Sequence, residues 1–379
     1  MDSSHQNSMI GAFSFKGLTA VLIFFGLGLS ILHQSYSSAN LIAEGGKYLL
    51  FGLTGLCSVL ITFFLGYVYI KWFHVHHVSW LSTNLNTLIP LVFSFYALSN
   101  LVDLFYNFSD SVQGAVAYYY SPKNILLFEN WLFDLLLSLI FGFTLLRLSS
   151  IALNKQKVSM KNLYRLTIVC LASYSIRGIL EVILGTYFII ISTGQFVFDV
   201  SGLLRLVYML GVLLESVTLI LLSVDVYRKK DLSKWSVIAA FHFVAIGWLL
   251  QKSALIGLNS QYLSILGLYL PLNYVVIPII REGGVLVASL LTVIVSKSLI
   301  GGERLRDRNF KLSLAAIFIF SISGILVDTF TVLSSISSLI PYTWVFLFSG
   351  SSLPAELIRL SSHIPVLSIG LLLRRQPPQ

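Results

Sequence analysis

The chain has 379 residues, of which 56% are hydrophobic and 11% charged, with a mean hydropathy of +0.85 and a formal net charge of +9 at pH 7. A soluble chain of this length would carry about twice that share of charged residues to cover its surface. The composition therefore excludes a water-soluble enzyme or nucleic-acid-binding domain, and it predicts an all-α polytopic membrane protein.

In chain order, the opening MDSSHQNSMIGAFSFKG has neither a positive n-region nor a small-residue cleavage site, so it is expected to stay as a cytoplasmic tail. Apolar runs long enough to cross about 30 Å of hydrocarbon then predict ten helices. They lie near 17–33, 46–72, 85–106, 125–147, 163–191, 202–226, 235–257, 269–299, 311–338 and 354–373. Pro271 and Pro278 predict either a kink in the eighth span or a late start to it. PYTWVFLF at 341–348 is too short to span and reads as interfacial, with Tyr342 and Trp344 at headgroup level. Cys57 and Cys170 fall inside apolar runs and read as small core residues, so they define no disulfide framework.

Loop charge supplies an independent signal. Basic residues gather after every even span: Lys71; Arg147, Lys155, Lys157, Lys161 and Arg165; Arg228, Lys229, Lys230 and Lys234; Lys297, Arg304, Arg306, Arg308 and Lys311; Arg374 and Arg375. The opposite side holds only Lys47 and Lys123, with Lys252 near the outer end of the seventh span. The positive-inside bias makes both termini cytoplasmic and the protein a multi-pass component of the cell membrane. The basic excess belongs to the membrane face and implies no nucleic-acid partner. The result is one transmembrane domain, residues 1–379, of five tandem same-orientation hairpins at approximately 10–73, 80–150, 160–228, 232–300 and 308–375.

An internal repeat runs through these hairpins. His33, Asp103, Gln251 and Asp328 follow Lys16, Asn86, Lys234 and Lys311 by one common interval, and Glu181 follows Arg165 by one residue fewer. The returning helices carry Arg205, Arg281 and Arg359 in a matching register, in LLRLVYMLG, IIREGGVLV and LIRLSSHIP. At about 1.5 Å per residue both sets lie near the outer boundary, and Glu181–Arg205 and Asp328–Arg359 are the expected partners, with Arg177 competing for Glu181. An intramembrane charge is tolerated when it faces protein and is paired. A charge ladder of Asp103, Glu181, Asp328, Arg205, Arg281 and Arg359 that locks the hairpins in register is the first reading, and an ion path along it the second. Asp134 and Glu215 sit mid-span without an arginine at matching depth, which makes them candidate proton-path carboxylates.

The remaining motifs are sparse. Asn107 opens an N-x-S sequon in a Tyr-rich loop on the outer side, a candidate glycosylation site and contact surface for extracellular-side or other membrane subunits. HVHH at 74–77 lacks the carboxylate or thiolate that would complete a metal site, so no metal is expected. No cofactor is expected either. The arrangement the histidines would permit is a haem b between His33 and His363, brought together if the hairpins close into a ring. With compensating charges, short loops and no catalytic motif, the first functional expectation is a non-catalytic subunit that anchors or organises a larger membrane complex. A respiratory electron-transfer assembly with its redox centres in partner subunits is the example the architecture suggests. The alternative is a secondary transporter or channel with a proton or ion pathway through the intramembrane carboxylates. A membrane enzyme acting on lipid-linked substrates would need acids or histidines clustered at one membrane face, and catalysis by the chain itself is not expected.

Overall fold

A backbone in hydrocarbon has no water to bond, and the helix satisfies its polar groups within one segment. The structure is a computed structural model that describes residues 84–106, 125–193, 200–229, 233–266, 272–304, 306–337 and 353–375, and among these it is helical with no strand. The helices are α1 (Leu85–Tyr106), α2 (Ile125–Leu153), α3 (Met160–Thr193), α4 (Val200–Lys229), α5 (Lys234–Leu266), α6 (Leu272–Ile300), α7 (Asp307–Ser337) and α8 (Leu353–Arg375). They fall on eight of the ten expected spans; those at 17–33 and 46–72 lie outside the described residues, as do HVHH and PYTWVFLF. Seven helices are long and apolar enough to cross a membrane, and the apolar part of α1, Leu85–Leu101, is shorter. The helix α6 runs from Leu272 and carries Pro278 inside its first two turns.

Every helix packs on its neighbours in the chain, and α8 packs on α1. The described helices thus close into a ring in sequence order. Large apolar side chains such as Phe133, Leu221, Phe241, Leu290, Phe330 and Leu371 point outward, as lipid-facing residues should. Much of the buried polar interior is serine: Ser94, Ser223, Ser289 and Ser321 each return their hydroxyl to the carbonyl four residues earlier, leaving no unmet donor. Lipid tails are as apolar as leucine, so helices in a bilayer gain by close backbone approach, which small residues permit.

The helices α4 and α5 meet backbone to backbone. A Cβ on Gly211 would sit 2.6 Å from the carbonyl oxygen of Gly247, and one on Gly247 would sit 2.8 Å from that of Gly211. Leu204 packs on Gly257 beyond one side of this crossing, and the Ser236 hydroxyl donates to Asp225 at 2.5 Å beyond the other, so the two helices run antiparallel. Two further connections share one cap geometry. In the α2–α3 loop Gln156 N–H donates to Ile151 with Lys155 at φ 49°, and in the α6–α7 loop Glu303 N–H donates to Ser298 with Gly302 at φ 78°. Both are six-to-one closures that use a left-handed residue to cap orphan carbonyls. The Asn309 amide donates to the Ser298 hydroxyl at 2.6 Å, tying the start of α7 to the end of α6.

Candidate intramembrane cavity

Among the described residues, the ring lines a partly open cavity of about 480 Å³ to which all eight helices contribute. Its wall is mostly apolar and aromatic, with Tyr96, Phe141, Tyr174, Trp248 and Phe320 the large rings, and its charged members are Glu215, Arg281, Asp328 and Arg359, with His363 beside them. A concave, mainly apolar site with a few convergent polar groups has the build of a small-molecule pocket.

Glu215 in α4 is the best-held of these groups. Its carboxylate is 5% exposed and accepts three hydrogen bonds, from the Tyr174 hydroxyl at 2.8 Å, the Trp248 indole N–H at 2.9 Å and the Gln251 amide at 2.8 Å. All three partners are neutral donors. A carboxyl group offers about four lone-pair sites, and these donors fill three of them without bringing a charge of their own. Two of the donors come from α5, where the Gly247 crossing brings that helix against Glu215, and Tyr174 reaches across from α3, tilted on Phe141 with ring centroids 5.1 Å apart.

Asp328 in α7 is 1% exposed, and its Oδ2 lies 3.1 Å from His363 Nε2 in α8. The ring is not aligned for a hydrogen bond to that oxygen, so this is a close polar contact, and His363 Nδ1 is buried with no protein partner. The imidazole reaches this position because Gly324, one turn before Asp328, has no side chain: any Cβ there would run into the ring. Phe320 packs on the imidazole at 5.5 Å between centroids. The structure thus brings Asp328 and His363 together, both on the cavity wall.

The other sequence candidates distribute as follows. Glu181 accepts the Tyr208 hydroxyl at 2.9 Å, while Arg205, one turn earlier in α4, is exposed. Asp134 meets Arg177 across α2–α3 at 2.7 Å, with the two side chains 39% and 41% exposed. The cation for this carboxylate comes from α3, and not from α4, α6 or α8, which carry the arginine register. Glu282 is 2.6 Å from Lys252 Nζ, a contact of opposite charges outside hydrogen-bond alignment, and 3.6 Å from Arg281 Nε. Arg359 lines the cavity and has an interaction of its own. His242 shares a 2.8 Å hydrogen bond with Ser296. Asp103 lies in the last turn of α1 with its side chain outside the described residues, where His33 and Asn107 also fall. Among the described residues, no group of three or more His, Cys, Asp or Glu side chains is placed to hold a metal ion. Tyr174 and Trp248 escaped the sequence reading because aromatic residues in apolar runs carry no mark of polar duty; Gln251, a bare amide in a span, was the available signal.

Among the described residues, fold and site together define a helical protein, with seven helices long and apolar enough to span a membrane, whose helices ring a charged, aromatic-walled cavity. Comparison with protein families, with characterised proteins and with solved structures found no match to this chain.

Proposed function

We propose that the protein is a membrane transporter or channel whose pathway runs through the cavity lined by α1 to α8. The observation that carries this reading is the cavity itself: about 480 Å³ at the centre of the ring, with two buried carboxylates, Glu215 and Asp328, in its wall. A subunit serving only as an anchor has reason to fill its centre by close packing. Buried charge around an unfilled space is expensive, and it is retained where an ion or polar solute passes or binds. On this reading Glu215, held by three neutral donors, draws cations into the pathway, and the Asp328–His363 pair offers a proton-accepting station in the same wall.

Purified protein in liposomes, with an imposed pH gradient and a trapped pH-sensitive dye, tests this. Wild type is expected to pass protons, Glu215→Gln and Asp328→Asn to cut the flux about tenfold or more, the usual scale for a positioned proton-transfer group, and Glu303→Gln in the exposed α6–α7 loop to leave it unchanged. Tight wild-type vesicles, or a flux indifferent to both cavity variants, would sink the reading.

The proposal includes five same-orientation hairpins in the cell membrane, both termini on the cytoplasmic side. In a background lacking Cys57 and Cys170, single cysteines at Gln156 and Arg306 should react with an impermeant thiol reagent only from the cytoplasmic face, and one at Val112 only from outside. Labelling of position 156 from outside would break the orientation.

A further inference from the structure

A ligand pairs with the charge that a cavity lays open to it, and this wall opens its two signs unequally. Among the described residues its formal charges balance, Glu215 and Asp328 against Arg281 and Arg359. The carboxylates are closed off. Glu215 is 5% exposed and held by Tyr174, Trp248 and Gln251, and Asp328 is 1% exposed with its Oδ2 buried against His363. The Arg281 side chain, by contrast, is 43% exposed. Among the described residues its one ion-pair contact is with Glu282, 3.6 Å from Nε and beyond hydrogen-bond length, and that carboxylate stands closer to Lys252, at 2.6 Å. The charge that this wall offers to a ligand is therefore a guanidinium.

The apolar counterpart comes from α1. Phe93 and Tyr96, three residues apart and so on one side of the helix, line the cavity and are 49% and 47% exposed. On the same helix Leu88, Leu91, Phe95 and Leu98 are at most 4% exposed. Uncovered aromatic surface on α1 thus faces the cavity, whereas the exposed Phe241 of α5 and Phe330 of α7 lie outside its lining. Apolar surface left open inside a fold is where the apolar body of a ligand gains by burial.

We infer that the cavity binds an amphipathic monocarboxylate, whose planar head meets the Arg281 fork and whose apolar body covers Phe93 and Tyr96. Arginine suits this head because its donors match a carboxylate two at a time. The assignment rests on reading the cavity as the substrate site, with the organic anion as cargo and protons as the ions drawn in at Glu215.

The experiment is equilibrium binding to the full chain in detergent by titration calorimetry. The probes are 4-phenylbutyrate, whose flexible linker leaves the distance between head and ring free, its amine and alcohol counterparts 4-phenylbutylamine and 4-phenylbutanol, and butyrate, which lacks the ring. The carboxylate with a ring is expected to bind about tenfold or more tightly than any other probe, the scale of one hydrogen-bonded charge contact. Arg281→Gln should bring 4-phenylbutyrate down to the alcohol and leave the alcohol unchanged, and Phe93→Ala should weaken all three ring-bearing probes alike. Glu282 keeps its Lys252 contact in Arg281→Gln, so that variant should fold. Arg281→Lys, which keeps the charge and loses the fork, should show a partial loss, and decides the matter if the glutamine variant cannot be purified. Amine or alcohol bound as tightly as the carboxylate, butyrate bound as tightly as 4-phenylbutyrate, no binding by any probe, or a carboxylate preference indifferent to Arg281 overturns the assignment. Carboxylate-dependent proton flux without monocarboxylate binding removes this inference alone, whereas monocarboxylate binding in proton-tight vesicles removes the transport reading and leaves a binding protein.

Discussion

Leucine at Gly247 is expected to leave no folded protein to purify. The crossing at Gly211 and Gly247 is backbone against backbone, with each carbonyl oxygen within 3 Å of where the other residue's Cβ would be. A flexible neighbour could rotate away, but a carbonyl inside a helix cannot move without dragging α4 or α5 off its partner. Overpacking ordinarily costs about 1–3 kcal/mol, and the rigid contact puts this site at the top of that range or above it. Gly283 supplies the control, since a Cβ there meets nothing within 4 Å. Gly283→Ala should match or exceed wild type, by up to about 1 kcal/mol from helix propensity. Size-exclusion profiles and melting temperatures in detergent separate the two; a monodisperse, wild-type-stable Gly247→Leu protein would show that α4 and α5 do not cross here.

The second large effect is at Glu215, where two substitutions should part company. Glu215→Leu orphans the Tyr174 hydroxyl, the Trp248 N–H and the Gln251 amide at once. A buried unmet donor costs about 1–3 kcal/mol. Removing the desolvated charge offsets part of the sum, for a net loss of about 2 kcal/mol or more. Glu215→Gln keeps an oxygen for Tyr174 and Trp248 and a reversible amide pair with Gln251, so its stability should stay within about 1 kcal/mol of wild type. Thermal unfolding of both variants decides it. If the leucine variant melted with or above the glutamine variant, the three-donor shell would not be holding the carboxylate.

How much of this was legible in the sequence depends on what a linear pattern can encode. Spans are a matter of length and hydropathy, so α1 begins and ends where the apolar run at 85–106 does, and α6 begins directly after Pro271. The level at which α3 meets α4 has a sequence counterpart: Glu181 meets a polar group of α4 three residues from Arg205, but that group is the Tyr208 hydroxyl. What a register cannot supply is rotation. Each residue turns the helix by about 100°, so Arg205 and Tyr208, three residues apart on α4, stand about 60° apart around it, and that offset leaves the hydroxyl on Glu181 and the guanidinium exposed. The same limit hid Arg177 as the partner of Asp134 and His363 as the partner of Asp328. The imidazole needed Gly324 beneath it, an absence of atoms that no hydropathy window weighs. The cavity was hidden for a further reason, because its wall takes residues from every described helix, from one on α2 to five on α1, and exists only once the ring closes.

That closure sets an order of events during biosynthesis. The α8–α1 contact joins segments more than two hundred residues apart, and α8 is the last described helix to leave the ribosome. Until it is made, the wall formed by the described helices has a gap one helix wide, and Asp328, already present on α7, lacks the imidazole of His363. A nascent chain stopped before Leu353 would therefore present a carboxylate to lipid through that gap, a mark by which membrane quality control can tell an unfinished ring from a finished one.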